Sequence, residues 1–531
     1  MVGKKFSVAY GAFSLLLAIS VVLGRDVYKY NQVVIDGAGD FFKLLLFVVL
    51  LASVVYLVIW GLGKIHAPRK LGESFLFTPF KVKRHWALLL VFSLIIFVCW
   101  LPAFLSYFPM VDAYDIFYKT PYWFGQHSQA TTGDYINHHS VLHTFFWSLA
   151  VKFGNRFSVL PFIPYALGQM LVSSIIYAKV LVFLNKKGVG RIWTILAIVF
   201  YALPVNAIFM QVPTKDVSIA PVFTLLILNI YRMVTKDVGY KKAVGIPVAI
   251  LEGLICCLLR NNFVYAFVVF SIFVFFMQKK VRLRFTVFSI STVLLYLLIT
   301  GPGFKAMGVY PGEKHEALSL PIQQLSYVMI NAPQKLSEEN KSEIMMYFPK
   351  YDNFNPRFAD PVKDNANDEI LESNISNFIK LWLKVGLKCP KEYADAFLTL
   401  NIPYWYIGAS PLDPYSERIY IETGDEEDHT PVAKALYEFY DKESNFKGIN
   451  SLAVINILFS LWTPLWLCLF GFFRTISKGE RHRATAILLP LLYMLTFLLG
   501  PVSCMRYIYP LFAAYPLLFF LLSTGRLLTK E

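Results

Sequence analysis

The chain has 531 residues, 56% of them hydrophobic and only 16% charged, with a mean hydropathy of +0.52. A water-soluble chain carries about 25% charged residues, so this composition excludes an ordinary soluble enzyme and describes an integral membrane protein. The net charge of +15 is no sign of nucleic-acid binding. Residues 302–449 hold fifteen Lys/Arg against twenty-three Asp/Glu, and the basic excess lies in the remainder, where it faces anionic lipid.

An apolar run of about 20 residues spans the hydrocarbon core as a helix. Twelve such spans are expected, at 6–24, 41–63, 86–106, 158–184, 191–210, 217–235, 244–260, 263–279, 285–302, 451–473, 484–500 and 506–524. The piece 141–154, VLHTFFWSLAVKFG, is too short to cross and reads as an amphipathic helix at the interface. Lys and Arg set orientation. With twelve spans and both termini cytoplasmic, Lys4 and Lys5, the loop Lys64 to Arg84, Lys186 to Arg191, Arg232 to Lys242, Lys279 to Arg284 and Arg474 to Arg483 all fall inside. A thirteenth span at 141–154 breaks that pattern. The first span lacks a small-residue cleavage site after it and reads as a retained helix.

Residues 1–85 hold two spans and a basic cytoplasmic loop. Residues 86–302 form a transmembrane core, with a first extracytoplasmic loop at 107–157. Residues 303–450 are a polar extracytoplasmic domain, and 451–531 close the chain with three spans. The fold class is thus an all-α polytopic membrane protein, with a mainly helical outer domain inserted before the last three spans. Helices are expected at 337–348 (Ser337 as N-cap), 367–388 and 430–442. The Pro-, Asn- and Asp-rich stretches 351–365 and 404–418 read as loops. There is no internal repeat and no low-complexity tract. Six cysteines show no metal or redox spacing. Cys389 and Cys504 are the one pair that this topology brings to the outer face.

The first outer loop concentrates ionisable groups: Asp112, Asp115 and Asp134 with His127, His138, His139 and His143. Such groups at a membrane edge bear a desolvation cost that chemistry can justify. Asp112 and Asp115 lie three apart just after a span, where a carboxylate can take a proton from a hydroxyl, hold a metal, or simply end a solvated helix. His139 and His143, spaced i,i+4 with Asp134 nearby, could hold a divalent cation; hydrogen bonds from the histidines to a phosphate are the favoured reading. The aromatic residues around them suit a membrane-interface belt. The outer turns each carry a cation: Lys215, Arg260 and Arg506. Lipid-headgroup anchoring accounts for any one of them, and a shared role in neutralising phosphate accounts for all three. Glu252, inside the seventh span, requires a partner in the bundle.

The pieces YFPMVDAYD, NHHSVLHT, PTKD, LLRNN, EALSLPIQQLSYV, YDNFNPRFADPVKDN and CMRYIYPLF, in this order along most of the chain, resemble the GT-C integral-membrane glycosyltransferases. More narrowly, they resemble a bacterial group of uncharacterised GT-C-like proteins. The resemblance implies transfer of a sugar from a polyprenyl-phosphate donor to a hydroxyl of a glycan or lipid acceptor outside the cell membrane, usually with inversion. It implies Asp115, with Asp112 as the alternative, as the catalytic base. It implies Lys215, Arg260 and Arg506 at the lipid phosphate, assisted by His138, His139 or His143. Gln323, Gln324, Tyr404 and Trp405 are implied at the acceptor. It fixes no cofactor and leaves a divalent cation open, with Asp134, His139 and His143 as its candidate ligands. The chain departs from the family with Asn-His-His-Ser in place of Asp-His-His-Pro at 137–140, and with Met-Val-Asp after Pro109 in place of a Gly-like turn. A polytopic transporter or flippase is the alternative, expected to show repeats and broken helices. A lipid-modifying acyl- or phosphotransferase using the histidines is a third.

Overall fold

The computed structural model describes residues 7–64, 75–108, 135–137, 140–160, 162–235, 242–312, 314–409 and 434–523. Asp112, Asp115, His127, Asp134, His138 and His139 lie outside these residues. The described chain is overwhelmingly helical, so this is an all-α membrane protein. Seven helices are long and apolar enough to cross a membrane, and eight with one bent pair taken as a single span.

Helices α1 (Val8–Tyr30) and α2 (Ala38–Leu62) form an N-terminal hairpin. The Ser7 hydroxyl caps α1, and Asn31 ends it in the left-handed region at φ 55°, a conformation that Asn tolerates well. Helix α3 (His85–Ser106) leads into the first outer loop. Strand β1 (Tyr135–Asn137) and helix α4 (Val141–Phe157) follow. Helix α4 presents Phe145, Phe146, Leu149, Phe153 and Phe157 outward and buries His143, Trp147 and Ala150. At 17 residues it is not among the candidate spans, which suits the interfacial reading.

The bundle continues with α5 (Phe162–Lys186), α6 (Arg191–Ala202), the short α7 (Pro204–Phe209), α8 (Lys215–Thr235), α9 (Lys242–Leu259), α10 (Phe263–Met277) and α11 (Arg282–Leu298). Pro204 breaks the expected span 191–210 into α6 and α7, because proline leaves the preceding turn without its N–H partner. Helix α11 widens into a π turn at Ile299–Gly303, where Pro302 supplies no donor, and runs on to Ala306. Within the bundle, Glu252 is buried. Asn229 Nδ2 lies 2.7 and 2.9 Å from its two oxygens, supplying the expected partner.

Strand β2 (Val309–Pro311) pairs in parallel with β1, Ile136 opposite Tyr310. The outer segment then folds as α12 (Ser319–Asn331), α13 (Glu338–Tyr347), α14 (Asp368–Ser373), α15 (Ile375–Lys388) and α16 (Pro390–Leu400). The Ser337 hydroxyl accepts from Asn340 N at 3.3 Å, the expected cap. This segment has its own hydrophobic cluster, including Ile322, Leu325, Tyr347, Phe378 and Val385. Asn31 and the 497–502 region hold it on the bundle. Tyr327 Oη and Thr399 Oγ1 donate to Asn31 O at 3.1 and 3.0 Å, and Ala359 N donates to Pro501 O at 2.9 Å.

Helix α17 (Lys434–Ser444) was expected within the outer domain, but Tyr440 belongs to the bundle's core and lies against Tyr107, ring centroids 6.2 Å apart. Tyr404 and Trp405, at the start of the stretch read as loop, belong to a helical turn, Ile402–Trp405. Helices α18 (Thr463–Ser477) and α19 (Arg481–Thr496) precede the final pair, α20 (Met505–Ala513) and α21 (Tyr515–Leu522). That pair bends by 54° at Ala514, beside Pro516, which cannot donate to the preceding turn. The expectation of an unbroken final span is corrected here. Cys389 and Cys504 are both buried free thiols, so the pairing considered for them is not made.

Candidate functional site

Three chain reversals of the bundle meet at one point. Helix α8 begins at Lys215-Asp216, Arg260-Asn261-Asn262 joins α9 to α10, and α20 begins at Met505-Arg506. Asp216 is fully buried. Its Oδ1 lies 2.5 Å from Arg260 Nη1, and its Oδ2 lies 3.9 Å from Arg506 Nε. The guanidinium carbon of Arg260 lies 4.9 Å from the Tyr507 ring centroid and 5.5 Å from that of Phe497; Arg506 lies 4.9 Å from Tyr507. Buried carboxylate and aromatic faces therefore fix two arginines in place. Lys215, Arg260 and Arg506 line one cavity of about 850 Å³. The three expected phosphate ligands share a site.

Its other wall comes from the outer domain. Lys363 Nζ is 2.9 Å from both oxygens of Glu316, 2.8 Å from Asp360 Oδ1 and 3.4 Å from Asp364 Oδ1. His315 places Nδ1 2.6 Å from Asp368 Oδ1 and Nε2 3.3 Å from Glu316 Oε1. The flanking carboxylates, Glu316 first, raise the His315 pKa to about 9 against the opposing effect of burial. Burial pushes the Asp360 carboxyl up, opposed by Lys363. Desolvation lowers the Lys363 pKa, but its carboxylate partners raise it further. Glu316, Asp360, Asp364 and Asp368 all face the cavity, as does Asn137 at the end of β1.

His315, Glu316 and Asp364 bring one donor atom each within 4.8 Å of one another, a spacing compatible with a divalent cation. Lys363 already sits among the same carboxylates, and His315 is protonated at neutral pH, so a metal there must displace one cation or deprotonate the other. The described residues form an ion-pair network. The metal candidates Asp134 and His139 lie outside the described residues.

Since the folded-state pKa of His315 is raised, the stabilisation from its imidazolium is complete below an unfolded value near 6.5 and is lost as pH rises through about 9. The wild type should lose on the order of 2 kcal/mol of stability between about pH 6 and pH 10 from this group. His315→Gln should flatten that part of the profile. Thermal unfolding of the two proteins across this range checks it, and parallel profiles would refute it.

The remaining site residues are placed elsewhere. His143 is buried under α4, its Nε2 2.9 Å from Tyr165 Oη, which in turn is 2.8 Å from Ser218 Oγ. It does not line the cavity, so the phosphate contact assigned to it is replaced by a packing hydrogen-bond chain. The residues expected at the acceptor do not line the cavity either. Gln323 Nε2 donates to Asn355 O at 2.6 Å, and Gln324 bridges Tyr393 O and Trp382 Nε1. Tyr404 Oη donates to Cys504 O at 3.1 Å and accepts from Cys504 N at 2.8 Å. Trp405 Nε1 donates to Leu398 O at 3.0 Å. All four side chains bond to interior groups, and none of them lines the cavity. The cavity-lining residues that the sequence reading did not single out, His315, Glu316, Asp364 and Asp368, fall in HEALSL and DPVKDNANDE, where acids at i and i+4 around Lys363 were the available signal.

These elements define a polytopic helical membrane protein with a charged cavity between its helix ends and the helical segment 314–409. The chain belongs to the DUF6020 family, a family of unknown function whose model matches residues 129–527. No curated protein and no solved structure matches it.

Proposed function

We propose that this protein is a glycosyltransferase of the GT-C type that moves a sugar from a polyprenyl-phosphate donor to a hydroxyl of an extracytoplasmic glycan, glycolipid or envelope polymer. The observation that carries this reading is the convergence of Lys215, Arg260 and Arg506 on one cavity at the helix ends. A lipid-linked phosphate keeps its isoprenoid chain in the bilayer and its anion at this depth. In this reading the chain crosses the membrane twelve times with both termini cytoplasmic, the helices too short or broken to count alone (α6 with α7, α9, α10 and α18) making up the number.

Catalysis then divides by charge. A carboxylate takes the acceptor's hydroxyl proton as its oxygen attacks the anomeric carbon. The bond from that carbon to the phosphate oxygen breaks, and the lipid phosphate departs with the bonding pair. The three cations stabilise that growing negative charge. Asp115, then Asp112, is assigned as base; Glu316, Asp360, Asp364 and Asp368 are the described carboxylates that face the cavity with the three cations.

The test is transfer of labelled sugar from polyprenyl-phosphate donors by the purified protein. Asp115→Asn is expected to lower turnover by about 10²–10⁴-fold, with Asp112→Asn affected less. Full activity in both variants would sink the base assignment. The bend between α20 and α21, a pair that begins at the cavity with Arg506, favours a second reading as a flippase or transporter, since broken helices line such pathways. Robust solute counterflow without glycosyl transfer would establish that reading instead.

A further inference from the structure

Helices α10 and α11 form a hairpin held by a seam of aromatic rings, with Phe267 against Phe288 at 5.3 Å and Phe270 against Phe285 at 6.3 Å between centroids. Beside that seam the helices part around an apolar cavity of about 470 Å³, bounded by Val268, Ile272 and Phe276 on α10 and by Phe285, Ile290 and Leu294 on α11. It runs about 12 Å along α10, from Val268 to Phe276 at about 1.5 Å per residue. Ile272, Phe276, Ile290 and Leu294 are each more than half exposed, so the cavity is a groove that opens outward from the bundle. The turn beside its Phe276 and Phe285 end is basic. Lys279, Lys280, Arg282 and Arg284 lie in it, no acid occurs from Met277 to Arg284, and none of the four pairs with a carboxylate among the described residues. Arg282 is fixed there: its Nε donates to Phe275 O at 2.9 Å, and its guanidinium carbon lies 4.6 Å from the Phe275 ring centroid. Gln278 Nε2 ties the turn to α19, donating to Arg481 O at 3.0 Å and to Thr485 Oγ1 at 2.8 Å.

We infer that this groove seats an anionic glycerophospholipid, with an acyl chain between α10 and α11 and the headgroup phosphate on the basic turn. Charge complementarity selects the headgroup. A lipid of net negative charge meets four cations, whereas a zwitterionic one brings its own ammonium towards them. Arg282 takes the phosphate through the two Nη groups that its bond to Phe275 leaves open. The hydroxyls of the groove select the tail. Ser271 donates to Phe267 O at 2.7 Å and Thr286 to Arg282 O at 3.0 Å, each within its own helix. Ser289 also lines the groove, and its hydroxyl is buried without a hydrogen-bond partner among the described residues. It lies about 10 Å from Arg282 along the axis of α11, deeper than the phosphate, where a glycerolipid carries its ester carbonyls. Such a carbonyl accepts from Ser289. The isoprenoid tail of a lipid phosphate bound in the charged cavity is the rival occupant, because Val268 is one turn from Tyr265, which lines that cavity. That tail has no oxygen for Ser289 and no charge for the basic turn.

The experiment is native mass spectrometry of the full-length detergent-solubilised protein, titrated with phosphatidylglycerol and with phosphatidylethanolamine of the same acyl chains. The first phosphatidylglycerol is expected to bind about tenfold tighter, the gain that one or two basic contacts at a membrane surface supply. The combined variant Lys279→Gln/Lys280→Gln/Arg282→Gln/Arg284→Gln should remove that preference and leave phosphatidylethanolamine unchanged. Ile290→Trp fills the groove from its exposed lip, leaves the basic turn intact, and should weaken both lipids about tenfold. Ser289→Ala should weaken both by about threefold, the loss of one hydrogen bond. Equal affinity of the two lipids in the wild type overturns the inference, since unselective lipid around the bundle then accounts for the binding. A preference that survives in the combined variant overturns the headgroup seat, and binding untouched by Ile290→Trp overturns the groove. Polyprenyl phosphate that binds tighter than phosphatidylglycerol and is lost in Ile290→Trp assigns the groove to the isoprenoid tail instead.

Discussion

Asp216→Ala should produce the largest loss of stability of any single substitution at the cavity. It leaves the guanidiniums of Arg260 and Arg506 close together in a mostly buried setting without the carboxylate between them. Removing one member of a buried ion pair costs on the order of 3–5 kcal/mol, and here one residue serves two partners. Asp216→Asn should be milder, because the amide oxygen still accepts from one arginine. The double variant Asp216→Leu/Arg260→Met should recover part of the loss by removing a stranded charge along with its partner. Thermal unfolding of the detergent-solubilised variants measures all three. An Asp216→Ala protein that melts with the wild type would show that the arginines do not depend on this carboxylate.

Among the described residues, the largest expected effect on turnover is at Arg506. In the proposed reaction its guanidinium meets the departing phosphate, and loss of one such group costs about 10²–10³-fold in kcat. Arg506→Gln should therefore cut kcat steeply and change KM much less, since the charge on the phosphate grows as the bond to the sugar breaks. Arg506→Lys should keep only part of the activity, because lysine brings the charge without the planar two-pronged donor. Single-turnover transfer assays separate binding from chemistry. A kcat equal to the wild type in Arg506→Gln would move the leaving-group role to another cation.

Much of the membrane architecture could be read from apolar runs alone. Helices α3 and α8 begin and end within about two residues of their expected spans, and α4 covers the stretch 141–154 that was expected as a short amphipathic helix. These features follow from local hydropathy and helix length. The break between α6 and α7 and the bend before α21 were marked by prolines, yet a proline in an apolar run says little about how far the helix bends. The cations of the site were legible because each stood alone in a short outer turn. Their counter-ion was not. Asp216 looks like half of a polar turn beside Lys215, and only the meeting of three separate turns makes it the buried partner of Arg260 and Arg506. The outer wall was hidden for a similar reason: His315 and Asp368 are joined across 53 residues. Gln323, Gln324, Tyr404 and Trp405 misled because a polar side chain that satisfies a buried backbone atom has the same letter as one that meets a substrate.

The parallel pairing of β1 with β2 joins residues more than 170 positions apart, with six expected spans between them. Asn137 at the end of β1 faces the cavity, Lys215 and Arg260 are added during the bundle, the acids come with the outer domain, and Arg506 comes after all of them. During synthesis, therefore, each helix can enter the bilayer long before the charged chamber exists. A ribosome that stalls before α20 leaves an inserted protein with Asp216 and Arg260 paired but with one cation missing. Quality control that reads only membrane insertion would pass such a product, while the chemistry proposed for the chamber must wait for α20 to dock.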